Sequence, residues 1–384
     1  QLLNSGSVVT NKELSIKADE VRNSGELSAA GKQSIQSQSL HNSGSIASNA
    51  QLSIAVTDLD NQKGKISADY LEITAKQLQN QEGTIAQTGL AGLDLEAGVL
   101  SNDQGVIGYH PEDQSAQPAQ PNTGAGAGHT TTGNTTKPPV TGSGSNTSTG
   151  NQTTNPVNPS TPSTGSSVPN GFIKVAGNLN NDKGGIYANA GIDLDVSNGL
   201  INKGTLQLGD LSVKGAQFIN DGGKLSADAL TIATQTASNQ AGKISVQKDF
   251  SLNSTGFNNQ AGEVAVNGNA HIATGQLNNQ SGSIEAAGSQ SLQVQDLDNR
   301  KGSIVANQAL DIQAQGQVLN QAGVLGSAQG GLNIVTAGIL DNSAGQISAA
   351  NNVSVTVGSL LNQQGTVASS KSLNLHSAQD INNH

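Results

Sequence analysis

The residues of this chain best equipped for chemistry are carboxylates standing beside basic groups. Asp58, Asp60 and Lys63 form one such set; Asp296, Asp298, Arg300 and Lys301 form a second at the same phase. Acid–base cleavage of a polysaccharide would need carboxylates of this kind gathered on one face, one as proton donor and one as base or nucleophile. The two sets lie far apart along the chain and do not make one site. Solvated corners with weak surface ion pairs are the simpler expectation. Asp193 and Asp195 alternate along a strand-like segment and would share a solvent face. The histidines (His41, His110, His129, His271, His376 and His384) show no metal-ligand spacing. Cysteine is absent, which excludes disulfides and thiolate metal sites. There is no phosphate loop, nucleophile elbow or calcium-binding nonapeptide. Tyr70, Tyr187, Phe218, Phe250 and Phe257 stand isolated in sequence, so no aromatic platform for a sugar is expected, and the Phe residues are expected to fill a core. Catalytic residues, a cofactor and a metal are not expected, and neither is an enzyme.

What must hold these side chains is a phrase of about twenty residues, said again and again. One copy, LNNQSGSIEAAGSQSLQVQD, runs from Leu277 to Asp296, and the next, LDNRKGSIVANQALDIQAQG, begins at Leu297. The shared frame is aliphatic-x-Asn-x-x-Gly-x-Ile-x-Ala, a gap, then Leu-x-Ile. Its anchors are Asn4, Asn23, Asn42, Asn61, Asn80 and Asn102, then Asn181, Asn202, Asn220, Asn239, Asn259, Asn279, Asn299, Asn320, Asn342, Asn362 and Asn382. Apart from the jump from 102 to 181, every step is 18 to 22 residues.

Within a copy the apolar period is two. Ile66 and Ala68 alternate with Lys65, Ser67 and Asp69, and Leu71 and Ile73 with Glu72 and Thr74. Each copy therefore reads as three short strands joined by corners, with no room for a crossover helix and no 3.6-residue stripe. Such a chain must wind as a coil whose strands pair in parallel with the next coil. That is an all-β, right-handed parallel β-helix. A lone coil cannot offset the entropy of ordering its backbone, so neighbours must share burial and ladders. The corner asparagine has two explanations: comfort in a turn, or a side-chain ladder along the fibre. The ladder is favoured, because Asn is kept where Asp or Gly would also turn. Positive φ is expected at the Asn and the Gly. The corners Asn-Ser-Gly at Asn4, Asn23 and Asn42, and Asn202-Lys203-Gly204, are one residue tighter than the rest.

Composition agrees with thin aliphatic layers: 2% aromatic, no Trp, and 47 glycines. A net charge of −10 argues against nucleic acid or an anionic membrane surface as partner, and no apolar run is long enough to span a membrane. All nine prolines lie between Pro111 and Pro169. The expected organisation is β-helix repeats over 1–108, a disordered Thr/Ser/Gly/Pro-rich loop over 109–170, and β-helix repeats over 171–384. The loop carries the sequons at Asn134, Asn146 and Asn151 and could be a tolerated insertion.

The phrase LxNxxGxIxAxxxLxIxA, carried by Asn23, Asn61, Asn279 and Asn299 with their Gly and aliphatic partners, resembles the filamentous-haemagglutinin repeat. That repeat belongs to large exoproteins of two-partner secretion in Gram-negative bacteria, both adhesins and contact-dependent growth inhibition toxins. The resemblance implies a secreted shaft on the outer face of the cell, exported through an outer-membrane transporter and carrying a binding or toxin tip. It offers no catalytic residues. The chain is expected to be an internal fragment of such a protein. A directly receptor-binding adhesive segment is the second expectation, and a β-helical polysaccharide-active enzyme the third.

Overall fold

In the coil that begins at Asn279, Ile284 and Ala286 are buried while Ser283 and Glu285 face out. In Gln290–Asp298 the buried positions are Gln290, Leu292, Val294 and Leu297. The alternation skips one beat at Gln295 and Asp296, both turned outward, and that skipped beat is the bend. Period-two alternation thus sets the strands, and its interruptions set where the coil turns.

The computed structural model describes residues 1–108, 171–187 and 192–384. The expected disordered loop, with His110, His129 and the three sequons, lies outside the described residues. Among the described residues every strand pair is parallel, and there is no helix. Ile284 stacks between Val264 and Ile304, Leu292 between Ile272 and Ile312, and Leu297 between Leu277 and Val318. Repeated over the coils, these columns fill a narrow interior with Leu, Ile and Val. The fold is a parallel β-solenoid, as the period-two pattern requires. Phe218, Phe250 and Phe257 are fully buried in it, as expected of core fillers.

Three separate strands per coil is too simple a description. Between Leu211 and Asp298 the second and third strands run together, as in Phe250–Asn258. The bend there is built from small residues that stay extended, so Ser254 still pairs with Thr274. Beyond Leu310 the strands separate again, into Leu310–Ala314 and Val318–Leu319.

The jump in spacing does not interrupt the stack. Val106–Gly108 pairs with Thr84 and Ile85 on one side and with Gly185–Tyr187 on the other. Phe172–Val175 pairs with Asp94–Ala97 and with Asp193–Val196. Residues on both sides of the 109–170 segment therefore contribute to a single coil.

Candidate functional site

The corner is where the repeat keeps its polar chemistry. Asn279 is completely buried. Its Nδ2 donates to Asn299 Oδ1 at 2.7 Å, and to the carbonyls of Ser303 and Gly282 at 3.2 Å each. Its Oδ1 accepts from Asn259 Nδ2 at 2.7 Å. The Asn279 N–H donates to the Asp298 carbonyl at 2.7 Å, and the Asn279 carbonyl accepts from the Gly282 N–H at 3.0 Å. A buried primary amide with both donors and its acceptor engaged leaves no uncompensated polar group. The same link joins Asn23 to Asn42, Asn42 to Asn61, and Asn61 to Asn80 at 2.7–2.8 Å. It crosses the spacing jump from Asn102 to Asn181 at 2.9 Å. It continues through Asn202, Asn220, Asn239, Asn259, Asn299, Asn320, Asn342 and Asn362.

Two expectations about the corner need correction. The last rung is Asn383, whose Oδ1 accepts from Asn362 at 2.7 Å, and not Asn382. Ile381 stacks on Leu360 and sets the frame, so Asn382 lies opposite Leu361 and offers Asn362 only its backbone carbonyl. Left-handed φ, expected at the Asn and the Gly, falls instead on the residue before the Gly: Lys63, Glu82, Ala261, Ser281 and Lys301 take φ of 53–58°. The Gly is required for closeness. A Cβ on Gly282 would lie 2.2 Å from the Asn259 carbonyl oxygen and 2.7 Å from Asn279 Oδ1.

The acidic sets stay separate, each on its own corner. Asp60 faces His41 across one coil at 3.3 Å and accepts the Gln62 N–H at 3.1 Å. Lys63 lies 3.8 Å from Glu82, and Asp58 is exposed. In the later set, Arg300 grips Asp298 through Nε and Nη2 at 2.9 and 2.6 Å, and Gln280 adds a third donor. Burial alone would raise the Asp298 carboxyl, but the hydrogen bonds from Arg300 and Gln280 outweigh it and hold the pKa below its ordinary value. Asp296 accepts from Gln276 and from the Gln317 N–H, both at 2.9 Å. Lys301 occupies the left-handed corner position. Asp193 and Asp195 flank buried Leu194 on one face, and Asp193 accepts the Asp210 N–H at 3.0 Å. His271, His376 and His384 are exposed. Among the described residues no three His, Cys, Asp or Glu side chains gather as a metal site.

One polar cluster escaped the sequence. The Tyr70 hydroxyl donates to Asp94 at 2.5 Å, and Phe172 stacks in register on that same Asp94. The Lys174 ammonium lies 4.3 Å from the Phe172 ring centre. Tyr70 is therefore not isolated. Its hydrogen bond to Asp94, then burial and the charges of Asp94 and Glu72, push its pKa up to about 12. The cluster sits where the ladder is irregular: the step from Ala68 to Tyr70 faces the longer step from Gln87 to Gly92. No local signal could reveal it, because Tyr70 and Phe172 lie on either side of the 109–170 segment.

No curated protein and no solved structure matches the chain. The family described as the haemagglutinin repeat matches residues 1–39, 28–108, 225–294, 265–344 and 328–384. These stretches cover well over half of the sequence and include the Asn279 corner described above. The chain is a member of the haemagglutinin-repeat family.

Proposed function

We propose that the chain is a non-enzymatic shaft segment of a secreted, cell-surface exoprotein. It holds a binding or toxin tip away from the outer face of a Gram-negative cell, and the whole protein leaves through an outer-membrane transporter of the two-partner type. The observation that carries this is the amide ladder linking Asn4 to Asn383, with every strand pair among the described residues parallel. Such a column resists bending and shear along its whole length, which is what a spacer needs. Family membership supports an extracellular, adhesin-like setting. Two features support a structural role over catalysis. The acidic side chains of the two candidate sets stay on separate coils, and Asp60, Asp296 and Asp298 have structural hydrogen-bond partners. No nucleic-acid partner is proposed for a chain of charge −10.

The test is binding of the purified chain to target cells, with and without residues 110–170. A spacer binds in neither form. Binding that disappears with the deletion would make that segment a recognition element. Binding that survives it would place adhesion on the coils. Either result would replace the spacer with an adhesive segment.

A further inference from the structure

Corner length is not constant along the shaft, and one run of short corners makes a recess. The corners at Asn4, Asn23 and Asn42 lack the left-handed residue that Lys63 supplies at the next corner. These three successive short corners and the longer Gln62–Lys63 corner line one recess. The recess is an open groove of about 570 Å³. The hydroxyls of Ser5, Ser24 and Ser43 line it one coil apart, and Arg22, His41 and Asp60 form a second column, each stacked in register on the next.

Several donors of its lining are free to meet a ligand. Arg22 is ion-paired with Glu20 through its Nε. Among the described residues its two terminal nitrogens meet no acceptor, and the Ser5 and Ser43 hydroxyls donate to none. Asp60, the one acid lining the recess, is already engaged by His41 at 3.3 Å and by the Gln62 N–H at 3.1 Å. Lys63 stands 3.8 Å from Glu82 and remains largely exposed. A planar guanidinium fork flanked by hydroxyls suits an oxyanion, which accepts two parallel N–H bonds. The chain as a whole is acidic, at −10, so this preference is local and is not a general attraction for anions.

We propose that the short-corner recess binds a small ligand bearing an oxyanion, a carboxylate or a phosphate group, on a carrier of about sugar size. The proposal goes beyond the shaft function and does not depend on it. The experiment titrates the full chain with glucuronate, with glucose 6-phosphate and with uncharged glucose, following the His41 ring resonances by NMR. Saturable binding of at least one charged sugar, and none of glucose, is expected, and which one binds identifies the oxyanion. Arg22→Gln should weaken that binding by about tenfold or more, the loss of one charge-assisted hydrogen bond. Lys243→Gln, on a distant coil, should leave it unchanged. A variant carrying one inserted residue after Ser24 and one after Ser43, which lengthens both corners and fills the recess, should abolish binding while unfolding at the parent's midpoint. Equal binding of glucose, no binding of either charged sugar, or binding that Arg22→Gln does not weaken would each overturn the proposal.

Discussion

A primary amide offers two donor hydrogens and an acceptor oxygen at once, and the corner uses both functions. An aspartate in the place of Asn279 could accept from Asn259 but could not donate to Asn299. Removing the amide should therefore unsatisfy a donor on one side and an acceptor on the other. Asn279→Ala is expected to lower stability by about 1–2 kcal/mol, read from the urea midpoint; an unchanged midpoint would mean that the rung contributes nothing. Gly282→Ala forces a methyl against the Asn259 carbonyl and is expected to cost about 1–3 kcal/mol in the same measurement. Gln290 offers the opposite case. It is 1% exposed, stacked between Ala270 and Leu310, and neither its Nε2 nor its Oε1 has a partner. Gln290→Leu should raise the midpoint, by about 1–2 kcal/mol, because the buried amide is desolvated without compensation. A fall would show that the amide is satisfied in solution. The ladder was legible in the sequence because Asn recurs at one phase. The site of left-handed φ was not, because Lys, Glu, Ala and Ser share that position and none announces a turn.

At the level of strands and corners, most of the coil follows from alternation. Ile284, Leu292 and Leu297 occupy the interior that the period-two pattern assigns to them. What alternation could not give is how strands merge across a bend, since Ser254 and Gly256 permit a corner and an extended chain equally. Nor could it place Tyr70 beside Asp94 and Phe172, a neighbourhood made by stacking. That cluster predicts an alkaline signature. The folded Tyr70 pKa is about 12 against an ordinary value of 10.0. The folded state thus keeps the proton where the unfolded state has lost it. The associated stability is fully present below pH 10 and is lost as pH rises towards about 12. Tyr70→Phe should flatten the fall in unfolding midpoint over that window. An identical fall in the variant would show that Tyr70 does not titrate as its hydrogen bond to Asp94 requires.

For the whole molecule, the continuity of the stack matters more than any one coil. Ile107 already stacks between Ile85 and Ile186, and Ile173 between Leu95 and Leu194. Deleting residues 110–170 would leave Ile107 and Ile173 five positions apart, as Leu206 and Leu211 are at the equivalent places two coils on. The deletion should therefore keep the β-type circular dichroism spectrum and the unfolding midpoint; loss of either would mean that the segment is needed to close its coil. A shaft built this way stands or falls with its axial column of buried amides. The most direct test is hydrogen exchange of the asparagine side-chain amides, followed by NMR in the intact chain. The Nδ2 protons of Asn239, Asn259, Asn279 and Asn299 should exchange orders of magnitude more slowly than those of exposed Asn267. Exchange of the ladder amides at the rate of Asn267 would contradict the ladder and, with it, the rigid shaft.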